Sequence, residues 1–428
     1  MTKNIIDLSS QAARCVKCGT CLTQCPVYTE ALSESTSPRG KLSLVESLVS
    51  GDIQFTEKLQ DILSACLLCD SCGESCPNGV KAGDILLSAR KALVNHRGLS
   101  PVKKLLFGSL RALPFLFRTG SLIQGLLLKR IPGESGLHRR FPLPFLDRRR
   151  FIPPIAKQFF SDIHAGLAAA KEEKKRVGYF PGCVTNYLFP RIGSATLRLL
   201  NRHGVSVITP PGQTCCGLMA FAAGDWNTAK KLALTNIEAF EKHGLATIIT
   251  TCASCAAALK IFYPQLLKDA DQDTQTSVKK FSDSVTDISH YLVSDLNLAS
   301  KLRKNNPGNK LRPVITYHDP CHLKRTLGIH KEPRELLKAL PHFTFTEMPD
   351  ASRCCGMGGT FSITHYDLSM RIVKRTIDSL ESMGASLIAT SCSGCLLQLM
   401  DGIHQRGLKT RAIHLVEAIG EAQGEQLL

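Results

Sequence analysis

With 428 residues, 43% hydrophobic and 21% charged, the chain is expected to form two to four globular domains and not to be disordered. The opening MTKNIIDLSSQ lacks the apolar stretch of a secretory signal, and no run of about 18 uncharged apolar residues follows, so a cytoplasmic protein is expected. Its 18 cysteines then read as metal ligands, with a disulfide framework as the alternative.

Residues 1–100 write one four-cysteine phrase twice: Cys15, Cys18, Cys21, Cys25-Pro26, then Cys66, Cys69, Cys72, Cys76-Pro77. Helical patterns over Lys41–Ser50 and Thr56–Ala65 join the two runs. The spacing suits two [4Fe–4S] cubanes, because three thiolates on a tight loop grip one cluster while the fourth reaches the cluster of the other run. Cys15, Cys18 and Cys21 thus pair with Cys76, and Cys66, Cys69 and Cys72 with Cys25. Pro26 and Pro77 turn the chain away from a helix that would collide with the cluster. Zinc is the alternative, but zinc motifs separate their cysteine pairs by a longer knuckle.

Residues 101–170 contain no cysteine and carry most of the charge. Between Arg90 and Arg176 there are 19 Lys/Arg against 5 Asp/Glu, a balance of +14 within a total of +17. A helix over residues 103–119 would place Lys104, Arg111 and Arg118 on one face, beside Leu105, Leu106, Leu113 and Phe117, with a kink at Pro114. Such a helix suits the surface of an anionic membrane, and a solvated linker is the alternative. Interleaved Tyr, Phe and Arg stacking patterns are missing, so no nucleic-acid partner is expected.

From residue 171 the sequence repeats itself. YFPGC183, TCC216G and TCASC255 return as YHDPC321, RCC355G and SCSGC395. The offsets are 138 (Cys183 to Cys321), 139 (Cys215 to Cys354) and 140 (Cys252 to Cys392), so residues 171–300 and 311–428 form a duplicated domain. Short apolar runs precede the cysteines, and helical patterns such as Asn227–His243 and Leu368–Met383 follow. This is the alternation of an open α/β sheet, whose strand-to-helix junctions hold its sites. Each copy therefore gathers five cysteines at one sheet end: Cys183, Cys215, Cys216, Cys252 and Cys255, then Cys321, Cys354, Cys355, Cys392 and Cys395. Gly217 and Gly356 would let the backbone approach a bulky centre. The residues alone leave iron–sulfur, zinc and inert buried thiols open. His318 and His322 flank Cys321, where an imidazole tunes a metal site or merely completes a core. No nucleotide-binding glycine motif opens a helix after a strand, since Gly356-Met-Gly358-Gly359 lies within the cysteine motif. Substrate oxidation is accordingly expected on another polypeptide.

The two ferredoxin-type runs, the tandem cysteine-rich repeats, SPRGK (Ser37–Lys41) and RCCGMGGTFSITHYDLS (Arg353–Ser369) together resemble the glycolate oxidase iron–sulfur subunit family. Its relatives include the iron–sulfur subunits of D-lactate dehydrogenases and the cysteine-rich subunits of heterodisulfide reductases. The resemblance implies an α+β multidomain protein, with a helical two-cluster ferredoxin-like domain before two α/β cysteine-rich (CCG) domains. It also implies electron transfer from an FAD-containing dehydrogenase partner acting on glycolate or D-lactate towards a quinone or other acceptor, at the inner face of the membrane. Glycolate oxidase subunits tend to lose repeat cysteines, whereas this chain keeps both sets. That departure leaves room for one or two non-cubane [4Fe–4S] clusters or zinc, and for the alternative of a catalytic, heterodisulfide-reductase-like disulfide reductase.

Overall fold

The computed structural model describes residues 10–130, 137–139, 147–164, 170, 173, 175–304 and 312–424. Its N-terminal part is helical. Ser37 caps the helix Pro38–Ser50 by accepting from the Gly40 N–H, Pro38 presets the first turn, and Gly51 ends it at φ +88°. Leu42, Val45 and Leu48 face Ile85, Leu86, Ala89 and Leu93 of the helix Ala82–Arg97. Thr56 caps Glu57–Ser64, which adds Leu59 and Leu63 to this small core.

Each repeat builds a four-stranded, fully parallel sheet. The first repeat uses β3 (Lys175–Phe180), β4 (Val205–Ile208), β5 (Ile248–Thr250) and β6 (Val285–Asp287), ordered β4-β3-β5-β6. The second uses β7 (Val314–Tyr317), β8 (Thr344–Phe345), β9 (Leu387–Thr390) and β10 (Arg411–His414), ordered β8-β7-β9-β10. Both follow the order second-first-third-fourth, so the duplication extends to topology. Registers such as Gly178↔Ile248 and Ile315↔Leu387 fix the central pairs. A tyrosine near the end of each first strand makes the same bond in both copies: Tyr179 with Thr251 at 2.8 Å, Tyr317 with Ser391 at 3.0 Å.

The two repeats share one apolar core. Helix Pro190–Arg202 packs on Leu415–Ala422, and its counterpart Lys331–Lys338 packs on Ile288–Ser294. These reciprocal contacts describe a pseudo-two-fold pair. Across the join, the Ala253 N–H donates to the Ser391 carbonyl, and buried His414 donates from Nε2 to the Thr251 carbonyl at 2.7 Å. His414 Nδ1 accepts from the Val416 N–H, so one neutral tautomer serves both bonds. Burial pushes its pKa down to about 4 and keeps it neutral.

The helical part docks on both repeats. Arg90 is buried and donates to the carbonyls of Leu63, Ser64 and Cys66 on its own side and of Ala222 in the first repeat. Gly224, at φ +93°, meets the Arg90 backbone so closely that a Cβ would lie 2.5 Å from its carbonyl oxygen. Towards the second repeat, Arg325 pairs with Glu74 at 2.8 Å and Arg353 reaches Thr29 at 2.7 Å.

The basic segment departs from expectation. Residues 103–119 are not one kinked helix: Pro101–Gly108 ends in a 3₁₀ turn over Ser109–Arg111, and a new helix runs from Leu113 to Leu127. Pro114 sits in the first turn of that new helix, where its missing N–H costs nothing. The break removes the common face. Lys104 is exposed, Arg118 pairs with Asp162 at 2.7 Å, and the Arg111 side chain lies outside the described residues. A hairpin of β1 (Leu128–Arg130) and β2 (Leu137–Arg139) follows. Residues 131–136 and 140–146 fall outside the described residues, but the chain beyond them is anchored: Phe160 is fully buried against Tyr179 and Gly193. Truncating Phe160 to Ala should cost about 3–5 kcal/mol. Urea unfolding of the anaerobic chain, followed by far-UV circular dichroism, should show a lowered midpoint; an unchanged midpoint would contradict this packing.

Candidate metal centres

The two ferredoxin-type runs correspond residue for residue at an offset of 51 (Cys15 to Cys66). Lys17 and Leu68 both have positive φ, as do Gly19 and Asp70, two residues further on. Left-handed backbone at Lys17, Leu68 and Asp70 costs on the order of 1 kcal/mol each, so the loop holds a strained, concave shape. The middle cysteine of each run meets the hydroxyl two residues later: Cys18 with Thr20 at 3.4 Å, Cys69 with Ser71 at 3.5 Å.

The second run frames a cleft lined by Cys66, Cys69 and Cys72, and by Cys25 from the first run. Burial pushes the Cys25 thiol up to about 11, and Cys72 is raised by burial and by the neighbouring Cys66, Cys69 and Cys25. Cys69 goes the other way, held down to about 6 by Cys354 and Ser71. A bound cation is what relieves the two sulfurs that resist ionising. Lys41, 2% exposed, stands at the same cleft, its Nζ donating to the carbonyls of Thr36 and Ala65 at 2.6 and 2.7 Å. Burial holds Lys41 below the ordinary lysine pKa. In the other run, Arg14 and Asn78 exchange hydrogen bonds to each other's carbonyls, which ties the residues before Cys15 to those after Cys76.

The five cysteines of each repeat meet at the C-terminal sheet end. Cys183 and Cys215 have sulfurs 3.8 Å apart, Cys355 and Cys395 lie at 3.4 Å, and Cys252 meets Cys392 across the pseudo-two-fold at 3.9 Å. The remaining cysteines lie near enough to these pairs to shift one another's ionisation. Cys216 acts on Cys215 and Cys255, and Cys255 on Cys252. In the second repeat, Cys392 acts on Cys395, Cys395 and Cys354 on Cys355, and Cys354 packs in one cluster with Cys321 and Cys69. All ten repeat cysteines and one ferredoxin-run cysteine thus form one file of mutually perturbing sulfurs. Cys215 accepts from Cys183, and Cys215, Cys392 and Cys355 are each held well below the ordinary thiol pKa by the cysteines beside them. Neighbours such as Cys216 and Cys395 are pushed well above it. Protons alone permit only some of these sulfurs to ionise; soft metal permits more.

Gly217 (φ +77°) and Gly356 (φ +88°) both take the left-handed backbone that glycine favours. At Gly356 a Cβ would also press on the Ser369 carbonyl, whereas at Gly217 it would make only ordinary contact with Ala229 and Leu232. The close approach to sulfur belongs to Gly182, φ +73°, where a Cβ would lie 2.9 Å from Cys255 Sγ. The residues that hold the cysteine turns are ones that sequence reasoning misses. Asn236 and Tyr263 donate to the carbonyls of Cys215 and Cys216, and the Arg334 guanidinium grips both oxygens of Asp319, at 2.7 and 2.8 Å, beside Cys321. Nothing in their spacing marks them, because each acts through a contact distant in sequence. The two flanking histidines differ. His322 lies 3.3 Å from the Ser254 hydroxyl, whereas His318 points among Cys355 and Cys395.

Comparison with known proteins gives the same division. Residues 11–80 match a 4Fe-4S dicluster domain, and residues 177–260 and 315–400 each match a cysteine-rich domain, CCG. The chain is 34% identical, over 96% of its length and 94% of the relative's, to the probable glycolate oxidase iron-sulfur subunit of Bacillus subtilis. It is 28% identical to the glycolate oxidase iron-sulfur subunit of Escherichia coli over 97% of this chain and 95% of that one. Identity is also 28% to a subunit of the dihydromethanophenazine:CoB–CoM heterodisulfide reductase of Methanosarcina barkeri, covering 99% and 97%. In fold, a hypothetical protein from Helicobacter pylori is similar, with a TM-score of 0.53 at 10% identity over 91% of this chain and 68% of that one. With two ferredoxin-type runs, paired cysteine-rich repeats and relatives matched nearly end to end, the chain belongs to the glycolate oxidase iron–sulfur subunit family and is an iron–sulfur electron-transfer subunit.

Proposed function

We propose that the chain serves a flavin-dependent 2-hydroxy-acid dehydrogenase, receiving electrons from an FAD-containing partner that oxidises glycolate or D-lactate. The carrying observation is the file of sulfurs that begins at Cys69 and crosses the second repeat before the first. Cys15, Cys18, Cys21 and Cys76 hold one cubane; Cys66, Cys69, Cys72 and Cys25 hold the other. Each bound cubane stores one electron at a time. The chain's own part is to keep the sites adjacent and in a fixed order, with Lys41 and Arg90 placing fixed positive charge beside the second run.

Both repeats retain five cysteines, and Cys252 and Cys392 face each other at 3.9 Å. This favours metal in the repeats, as non-cubane clusters or zinc, and it is the observation behind a second reading in which the repeats reduce a disulfide. The SPRGK segment supports the first reading, since Ser37 caps the helix that carries Lys41 into the wall of the second cubane site.

The acceptor is proposed to be a quinone or another membrane component. Among the described residues no helix is long and apolar enough to cross a membrane. Yet Leu105, Phe115, Leu116, Leu122 and Ile123 are exposed on the two helices of the basic segment, Leu122 at 83%. Apolar side chains amid excess positive charge suit peripheral contact with the inner face of the cell membrane.

Two measurements test these assignments. Two cubanes alone give about 8 iron atoms per chain, and metallated iron–sulfur repeats raise this to about 12–16. Replacing Cys25 by Ser should remove about 4 irons and abolish the EPR signal of the Cys66–Cys72 site while sparing the other cubane. Loss of the Cys15–Cys21 site's signal instead would overturn the interleaved pairing. Separately, the double substitution Phe115→Glu and Leu122→Glu should weaken sedimentation with phosphatidylserine vesicles by about tenfold or more, and unchanged binding would remove the membrane assignment.

A further inference from the structure

The two repeats are not equivalent at one buried position. The offset of 138 that aligns Cys183 with Cys321 also aligns Phe180 with His318. Phe180 is an ordinary core residue, fully buried, its ring 6.3 Å from that of Phe240. His318 is equally buried, at 0% exposure.

An imidazole buried without partners forfeits the hydrogen bonds it would make to water, so such burial is unfavourable unless something in the site satisfies it. By donor–acceptor geometry neither ring nitrogen of His318 has a hydrogen-bond partner among the described residues, and the polar group it does influence is the Cys355 sulfur, which it helps to hold down. The neighbouring histidines are engaged, His322 with Ser254 and His414 with Thr251 and Val416. His318 is also held in place. Its N–H donates to the Ala389 carbonyl at 2.9 Å and its carbonyl accepts from the Thr390 hydroxyl at 3.2 Å, which locks the backbone at the end of β7. From there one ring nitrogen and the sulfurs of Cys355 and Cys395 lie within 4.8 Å of one another. Three soft or borderline donors, all buried, converge on one point.

We infer that His318 is a nitrogen ligand of the metal centre in the second repeat, sharing that centre with Cys355 and Cys395. The first repeat, with Phe180 in the same place, presents sulfur only. The inference rests on the reading that the repeat cysteines hold metal. If the centre is iron–sulfur and the imidazole takes the place of a thiolate on it, the reduction potential would be raised, and the second repeat would be the more readily reduced of the two.

The test is pulsed EPR on the full chain, purified anaerobically with its native metal, reduced stepwise and grown with ¹⁵N-histidine or unlabelled histidine. The expected result is a histidine-nitrogen coupling on a signal distinct from the two cubanes. It should be lost in His318→Phe, which installs the residue used by the first repeat, and retained in His322→Asn. Should His318→Phe fail to fold, the isotope difference in the unsubstituted chain decides the matter alone. About 8 irons per chain, no zinc and no third signal would mean that the repeats are empty, overturning both the metallated-repeat reading and this inference. Iron above that number with no histidine coupling, or with a coupling that survives His318→Phe, would overturn the inference alone. If zinc fills the second repeat, X-ray absorption at the zinc edge replaces EPR, and a sulfur-only shell would overturn it.

Discussion

The packing of so many sulfurs into one file is the constraint on which the rest of the structure depends. Thiols in contact and out of water cannot all ionise, because each thiolate raises the pKa of the next and no solvent disperses the charge. The directions along the file, with Cys215, Cys355 and Cys392 lowered and Cys216, Cys354 and Cys395 raised, show this competition at each step. Soft metal resolves it by supplying positive charge between the sulfurs. Such crowding needs rigid walls. The duplicated parallel sheets provide them, each delivering its cysteines from strand ends, and the shared core fixes one repeat against the other.

The same constraint explains the placement of the helical part. Arg325–Glu74 and Arg353–Thr29 join the ferredoxin-type part to the second repeat, where Cys69 packs in one cluster with Cys354, while Arg90 ties the helix behind it to the first. Arg90 directs its donors to main-chain carbonyls on both sides of the join, so it fixes backbone to backbone. An electron-transfer subunit gains from this kind of joint, since the order of its sites survives side-chain motion.

Much of this is legible in the sequence because cysteine spacing is a local signal. The repeated four-cysteine phrase, the offsets near 139 and the strand-like runs before Cys183, Cys255 and Cys395 identify the family and its α+β plan. What the spacing does not carry is direction in space. Gly217 and Gly356 sit beside cysteines in the sequence, yet the atoms nearest a Cβ there belong to helices, and Gly182, which does border a sulfur, carries no motif of its own. The helix expected over residues 103–119 fails because the seven-residue recurrence of Lys104, Arg111 and Arg118 runs through a stretch where the chain tightens to a 3₁₀ turn at Ser109–Arg111. Asn236, Tyr263 and Arg334 act through long-range contacts, which no periodicity reveals.

The central claim is that electrons from a 2-hydroxy acid enter this chain. Anaerobic mixing of glycolate or D-lactate with the chain in complex with its flavoprotein partner, stopped by rapid freezing and read by EPR, tests it most directly. The account predicts that the cubane signals grow in as the flavin is reoxidised, and that a small disulfide added afterwards leaves them unchanged. Reduced flavin beside permanently oxidised clusters, or clusters that pass their electrons rapidly to the disulfide, would contradict it.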